Sequence, residues 1–151
     1  MTVEDATHEF IAEAVVAAEE GSALFGIELH DTLYTSKQER GVQIGDCESD
    51  VAPLPGGEGM QEFDAELSLF CFARIAGEDK SDRKAARNKA RELMLAVAAL
   101  FFDNTTMGGR VNDVLVRRCV RGYTDQGGDV FALAIVPLVV NGTGQLLDDE
   151  R

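Results

Sequence analysis

The predicted fold is built around residues Val130–Val140, VFALAIVPLVV, which contain no polar side chain. Successive side chains of a β-strand point to opposite faces of the sheet. One face of this last strand would present Val130, Ala132, Ala134, Val136, Leu138 and Val140, and the other Phe131, Leu133, Ile135 and Val139. Both faces are apolar, so both need to be covered by other parts of the protein.

Two helices are predicted earlier in the sequence than this strand. Thr2, with Asp5 three residues later, matches an acidic capping box, and apolar residues at helical spacing extend the first helix from about Val3 to Glu20. Ser81 is the expected cap of a second helix that ends near Asp103. The apolar positions of this second helix fall on one side, which is typical of a helix packed on a sheet.

The remaining patterns predict strands and loops. Four strands precede the last one: two short strands around 25–29 and 42–44, and longer strands at 61–75 and 111–120. Gly45–Gly59 and Tyr123–Gly128 are rich in glycine or proline, and we expect a projecting loop and a hairpin loop there. The order α-β-β-β-α-β-β predicts an α+β fold, a mainly antiparallel sheet with both helices on one face.

The chain length favours one domain. With 151 residues and no linker or internal repeat, we expect a single α+β domain over residues 1–144. The acidic segment 145–151 is expected to be a flexible tail. No apolar run approaches the roughly 18 residues that cross a bilayer, and no signal peptide is visible, so neither membrane insertion nor secretion is expected.

The apolar surface exceeds what two helices can readily cover. Leu93–Phe102 is a run of ten apolar residues, which predicts that the second half of this helix is buried on all sides. We therefore expect a homo-oligomer in which neighbouring subunits cover the second sheet face or the back of the helix. The expected contact residues are Phe102, Phe131, Leu133 and Ile135. The alternative is a monomer whose long loop covers that face.

Charge is also unevenly distributed. The chain has 14 basic and 27 acidic residues, a net charge of −13, which argues against a protein that wraps nucleic acid. An acidic stretch, expected to face a channel or an axial surface, contributes Asp46, Glu48, Asp50, Glu62, Asp64 and Glu66. On a strand, the last three of these would share one face. The second helix carries basic residues on one side, of which Lys84, Arg87 and Arg91 are expected at a subunit interface. Both sets would alternatively be solvated faces.

Enzyme chemistry finds little support. The two histidines, His8 and His30, have no motif around them, and the three cysteines form no CxxC pair. The acidic run from Asp46 begins like a calcium loop, but Val51 and Gly57 occupy positions that need glycine and glutamate. We expect no catalytic residue, no metal and no cofactor.

The overall pattern resembles a family of phage proteins. The order of elements, the Gly108–Asp113 turn and the Phe131–Pro137 segment of the last strand are similar to the tail terminator, or tail completion, proteins of long-tailed bacteriophages. This group includes the lambda-type terminator and related minor tail proteins. The same α+β scaffold recurs in other head-to-tail joining proteins, which is an alternative within the same class.

The resemblance implies a structural virion protein and not an enzyme. It implies a hexameric ring, assembled in the host cytoplasm, that caps the tail tube and joins it to the head-proximal connector. The expected partners are further copies of the chain, the tail tube protein and the connector protein, and DNA passes through without specific binding. An alternative of a different class is a small cytosolic binding or regulatory domain that dimerises through the same apolar sheet face.

Overall fold

The protein is described here from a computed structural model that covers residues 2–30, 40–53, 61–126 and 129–143. The two helices are α1 (Val3–Ala17) and α2 (Lys80–Asp103). The six strands are β1 (Glu28–His30), β2 (Arg40–Pro53), β3 (Gln61–Arg74), β4 (Asp113–Val116), β5 (Val120–Gln126) and β6 (Asp129–Thr143). This arrangement confirms the α+β class.

The strands form one sheet in the order β1-β2-β3-β6-β4, and β5 also pairs with β6. β3 pairs with β6 along almost its whole length, so β4 and β5 share the opposite edge of β6, one on each half. Among the strands of the described ranges, only the short pair β1 and β2 is parallel. The sheet is therefore mainly antiparallel, as the sequence predicts.

Both helices cover the same face of the sheet. The core on that inner face contains Phe63, Leu67 and Leu69 of β3 together with Val136 and Leu138 of β6. The α2 side chains Leu93, Val97 and Phe101 belong to the same cluster, as do Phe10 and Ile11 of α1. The other face, called here the outer face, has no helix over it within the described residues.

α1 begins as predicted but ends earlier. Thr2 Oγ1 accepts a hydrogen bond from the Asp5 amide at 3.1 Å, and the Asp5 carboxylate accepts one from the Thr2 amide at 3.2 Å. The helix ends at Ala17, not at Glu20, because Ala18 is extended. Glu19 and Glu20 are exposed, and a further helical turn would place them at the negative end of the helix dipole, whereas Ala18 packs against the core from its extended position.

The prediction that Gly45–Gly59 is a projecting loop is wrong for its first part. β2 continues as far as Pro53 and pairs with β3 in register, while residues 54–60 lie outside the described part. A bulge between Ile44 and Cys47 accommodates the irregularity at Gly45, where a Cβ would lie 2.6 Å from Cε2 of Phe70. Glycine here permits a close approach between neighbouring strands, so it does not end β2.

The single strand predicted at 111–120 is two strands. Arg117 donates its amide hydrogen to the carbonyl of Pro137 at 2.8 Å, and Pro137 has no N–H to complete the antiparallel pair. The ladder along β6 is therefore interrupted between β4 and β5. The hairpin loop predicted at Tyr123–Gly128 is also wrong for residues 123–126, which belong to β5.

Candidate interaction surfaces

The first half of α2 forms one side of a basic groove. The groove has a volume of about 260 Å³ and is lined by Lys80, Arg83, Lys84, Arg87 and Tyr123. The four cations recur at spacings of three and four residues, which brings them together on one side of a helix. Tyr123 comes from β5, where it pairs with Ala132, so the sheet edge supplies the second wall.

Two of the three basic residues predicted at an interface lie in this groove. Lys84 and Arg87 line it, while Arg91 is exposed one turn further along α2 and does not line it. The sequence interpretation missed Tyr123 because the segment was assigned to a loop. In this segment Val120, Gly122 and Thr124 alternate with Arg121 and Tyr123. That alternation indicates a strand, and the sequence interpretation did not use it.

The second half of α2 is not buried on all sides, which corrects the prediction for Leu93–Phe102. Phe101 is 1% exposed and its ring centroid lies 5.4 Å from that of Phe10, whereas Phe102 is 66% exposed and Leu95 is 50% exposed. Ala99 is exposed between them. The subunit thus presents an apolar stripe, Leu95, Ala99 and Phe102, directly after the basic groove on α2.

On the outer face, one end of the sheet is apolar. Phe72 and Phe131 pack edge to face with ring centroids 5.8 Å apart, and the guanidinium carbon of Arg74 lies 5.6 Å from the centre of the Phe131 ring. Leu133 packs against this pair and is half-buried, as is Ile135. Phe131 is only 1% exposed, so it leaves almost no surface for the subunit contact predicted for it.

Two apolar residues on this outer face are more exposed than those that the sequence singled out. The register pairs Val120 with Ile135 and Leu115 with Val139, and directly opposed residues share a face. Val120 and Leu115 are each more than half exposed. They belong to β5 and β4, which pair with the edge of β6 opposite β3. The sequence pattern predicted these two strands as one.

The other end of the outer face is acidic. Glu62, Asp64 and Glu66 alternate along β3 with the buried residues Phe63, Ala65 and Leu67, so the three carboxylates share the outer face as predicted. The Asn141 side-chain amide donates to Glu62 at 3.2 Å and to Asp64 at 2.9 Å. Asn141 therefore bridges two like charges and partly offsets their repulsion.

The remaining acidic residues of the prediction lie on β2. The register pairs Glu48 with Glu66 and Asp50 with Asp64, while Asp46 lies in the bulge. Their side chains lie outside what the structure describes. The backbone of β2 thus brings the predicted acidic residues of both strands to the same end of the sheet.

Two thiols have shifted acidity for the same physical cause. Burial raises the pKa of the Cys71 thiol well above its usual range, with a smaller contribution from Cys119, and burial also raises the pKa of Cys119. Cys71 therefore stays protonated and belongs to the core. Within the described ranges, no group of three or more acidic, cysteine or histidine side chains is arranged to hold a metal ion.

The chain matches no protein-family model and no curated protein sequence. Neither helix of the described structure combines the length and the apolar character that crossing a bilayer requires.

Proposed function

We propose that the chain is a structural subunit of a phage virion, similar to tail terminators, which assembles into a ring, with six copies expected. In this proposal the ring caps the tail tube, joins it to the head-proximal connector and leaves a channel for DNA. The fold class supports the proposal because it is the α+β arrangement that the resemblance implies. The protein acts by assembly and not as an enzyme.

The observation that carries the proposal is the position of two different surfaces on opposite sides of the sheet. The basic groove between α2 and β5 and the apolar stripe of α2 lie on the helix side of the sheet. The acidic end of the outer face lies on the other side. A contact of the α2 surface with a different surface of the next copy is head-to-tail, and repeated head-to-tail contacts close into a ring when the rotation permits, with the acidic end left to face the axis.

The acidic residues have a physical role in such a ring. Carboxylates of Glu62, Asp64 and Glu66, repeated around a symmetry axis, would produce a negative potential that repels the phosphate backbone of DNA. DNA could then pass without being retained. Replacing the three residues by glutamine, asparagine and glutamine should increase the retention of duplex DNA on assembled rings in a filter-binding assay at 50 mM salt, and equal retention would remove these residues from the channel.

Imaging tests the assembly directly. Negative-stain images and mass photometry of the full chain at micromolar concentration should show rings with a central hole and a mass of about six subunits. A uniform dimer would favour the cytosolic binding or regulatory domain instead. A monomer, or a dimer, at these concentrations would overturn the ring.

Charge reversal tests the contribution of α2. Arg87→Glu with Arg91→Glu should weaken self-association at low salt, and the loss should shrink at 1 M salt because exposed ion pairs are screened. Arg117→Glu with Arg118→Glu is the matched control, since both residues are exposed, lie between β4 and β5, and change the net charge equally. Equal effects of the two variants would show that net charge, and not α2, controls assembly.

A further inference from the structure

The basic groove concentrates positive charge that the subunit itself does not neutralise. Within the described part of the chain, Lys80, Arg83, Lys84 and Arg87 form no salt bridge, although the protein has a net charge of −13. The groove also lies beside the first turn of α2, where the helix dipole is positive. The geometry is that of a site for a short acidic segment.

We propose that the groove of one copy binds the acidic segment that follows β6 in a second copy. Residues 144–151 read GQLLDDER, with Asp148, Asp149 and Glu150 in succession. Three adjacent carboxylates complement the four cations of the groove, and each can accept charge-assisted hydrogen bonds. The proposal depends on the self-association in the proposed function but not on a six-fold ring.

Within one subunit, the segment begins far from the Tyr123 end of the groove. Tyr123 in the groove pairs with Ala132, which lies eleven residues before Thr143, the last described residue of β6. Eleven residues of strand span about 37 Å. The seven residues from Gly144 to Glu150, the last of the three carboxylates, cover at most about 25 Å. The Tyr123 end of the groove is thus beyond the reach of the carboxylates of the same copy, which favours a neighbouring copy as their source.

The order of residues in the segment matches the order of surfaces along α2. Leu146 and Leu147 precede the carboxylates, and on α2 the exposed Leu95 lies beyond Arg87 in the direction away from the groove. Arg87 and Leu95 are about 12 Å apart along the helix axis. Leu146 and Asp149 would be about 10 Å apart in an extended segment. The leucines would then contact the apolar stripe while the carboxylates fill the groove.

Disulfide trapping in the full chain tests the contact. Arg83→Cys with Asp149→Cys, in a background where Cys47 and Cys119 are alanine, should give covalent dimers and higher oligomers on a non-reducing gel after mild oxidation. The control pair Glu20→Cys with Asp149→Cys places the first cysteine at an exposed site outside the groove. A chain that stays monomeric on the gel, or a ladder equal to that of the control pair, would overturn the proposal.

A charge exchange supplies a second readout. Arg83→Glu with Arg87→Glu, or Asp148→Lys with Asp149→Lys, should each weaken self-association about tenfold, and the four changes together should restore it. Failure of the restoration would overturn the pairing. A covalent ladder without rings in images would remove the ring and leave this contact, whereas rings without a ladder would remove the contact and leave the ring.

Discussion

The neighbouring residues Phe101 and Phe102 of α2 separate folding from assembly. Phe101 is 1% exposed within the subunit and Phe102 is 66% exposed. Phe101→Ala should lower the free energy of unfolding by about 3 to 5 kcal/mol, as is typical of a buried phenylalanine. Phe102→Ala should change it by less than about 0.5 kcal/mol, because the exposed ring makes few contacts in the isolated subunit.

Assembly should show the reverse dependence. If a neighbouring copy covers the exposed part of Phe102, about 130 Å² of apolar surface leaves water in each contact, which corresponds to an upper limit of about 3 kcal/mol. With partial coverage we expect about 2 kcal/mol, or roughly a 30-fold increase in the dissociation constant.

Sedimentation equilibrium measures the dissociation constant. Urea unfolding at protein concentrations below that constant measures the stability of the isolated subunit. Val16→Ala, at a residue of α1 that is 87% exposed and belongs to neither candidate surface, is the control for a general loss of apolar surface. An unchanged dissociation constant for Phe102→Ala, or an unfolding free energy lowered as far as by Phe101→Ala, would refute the assignment of the α2 stripe as an interface.

Three further outcomes test the description of the subunit. Asn141→Asp should lower thermal stability by adding a carboxylate next to Asp64 and by removing the amide that donates to it, and 1 M salt should restore the repulsive part of the loss; a fully salt-independent loss would contradict the electrostatic contribution. Cys71 should resist alkylation in the native protein at pH 8 and react after unfolding in urea, as followed by mass spectrometry, because burial keeps the thiol protonated; rapid native labelling would contradict its burial. Phe72→Ala should cost about 3 to 5 kcal/mol in urea unfolding although Phe72 lies on the face without helices, since its ring is buried against Phe131; a cost below about 1 kcal/mol would show that the ring is not packed there.

The sequence patterns predict those parts of the fold whose signal is local. The capping box at Thr2 and the buried apolar side of α2 depend on residues within a few positions of one another, and the structure confirms both. The predicted cap of α2 is wrong, because Asp79 and not Ser81 is its N-cap residue. The alternation of Glu62, Asp64 and Glu66 with apolar residues likewise predicts a shared face without knowledge of any partner strand.

The errors arise where pairing between distant segments decides the outcome. β2 continues through Gly45 because β3 supports it, and β4 ends because Pro137 on β6 lacks a donor, and neither fact is visible in the local residues. Phe131 was expected to be exposed because its own strand is apolar on both faces. Its burial depends on Phe72 and Arg74 of the neighbouring strand, so it follows only from the register.

The salt dependence of assembly distinguishes the two forces that the α2 surface combines. Copies that each carry a net charge of −13 repel one another, and salt weakens this repulsion as it weakens the local attraction of the basic groove. The apolar contact of Leu95 and Phe102 does not depend on these charges. Self-association that strengthens with salt would mean that the apolar stripe dominates and net repulsion opposes it. Association that weakens with salt would mean that the groove dominates, and the difference between the α2 charge reversal and its equally charged control at each salt concentration isolates that local term.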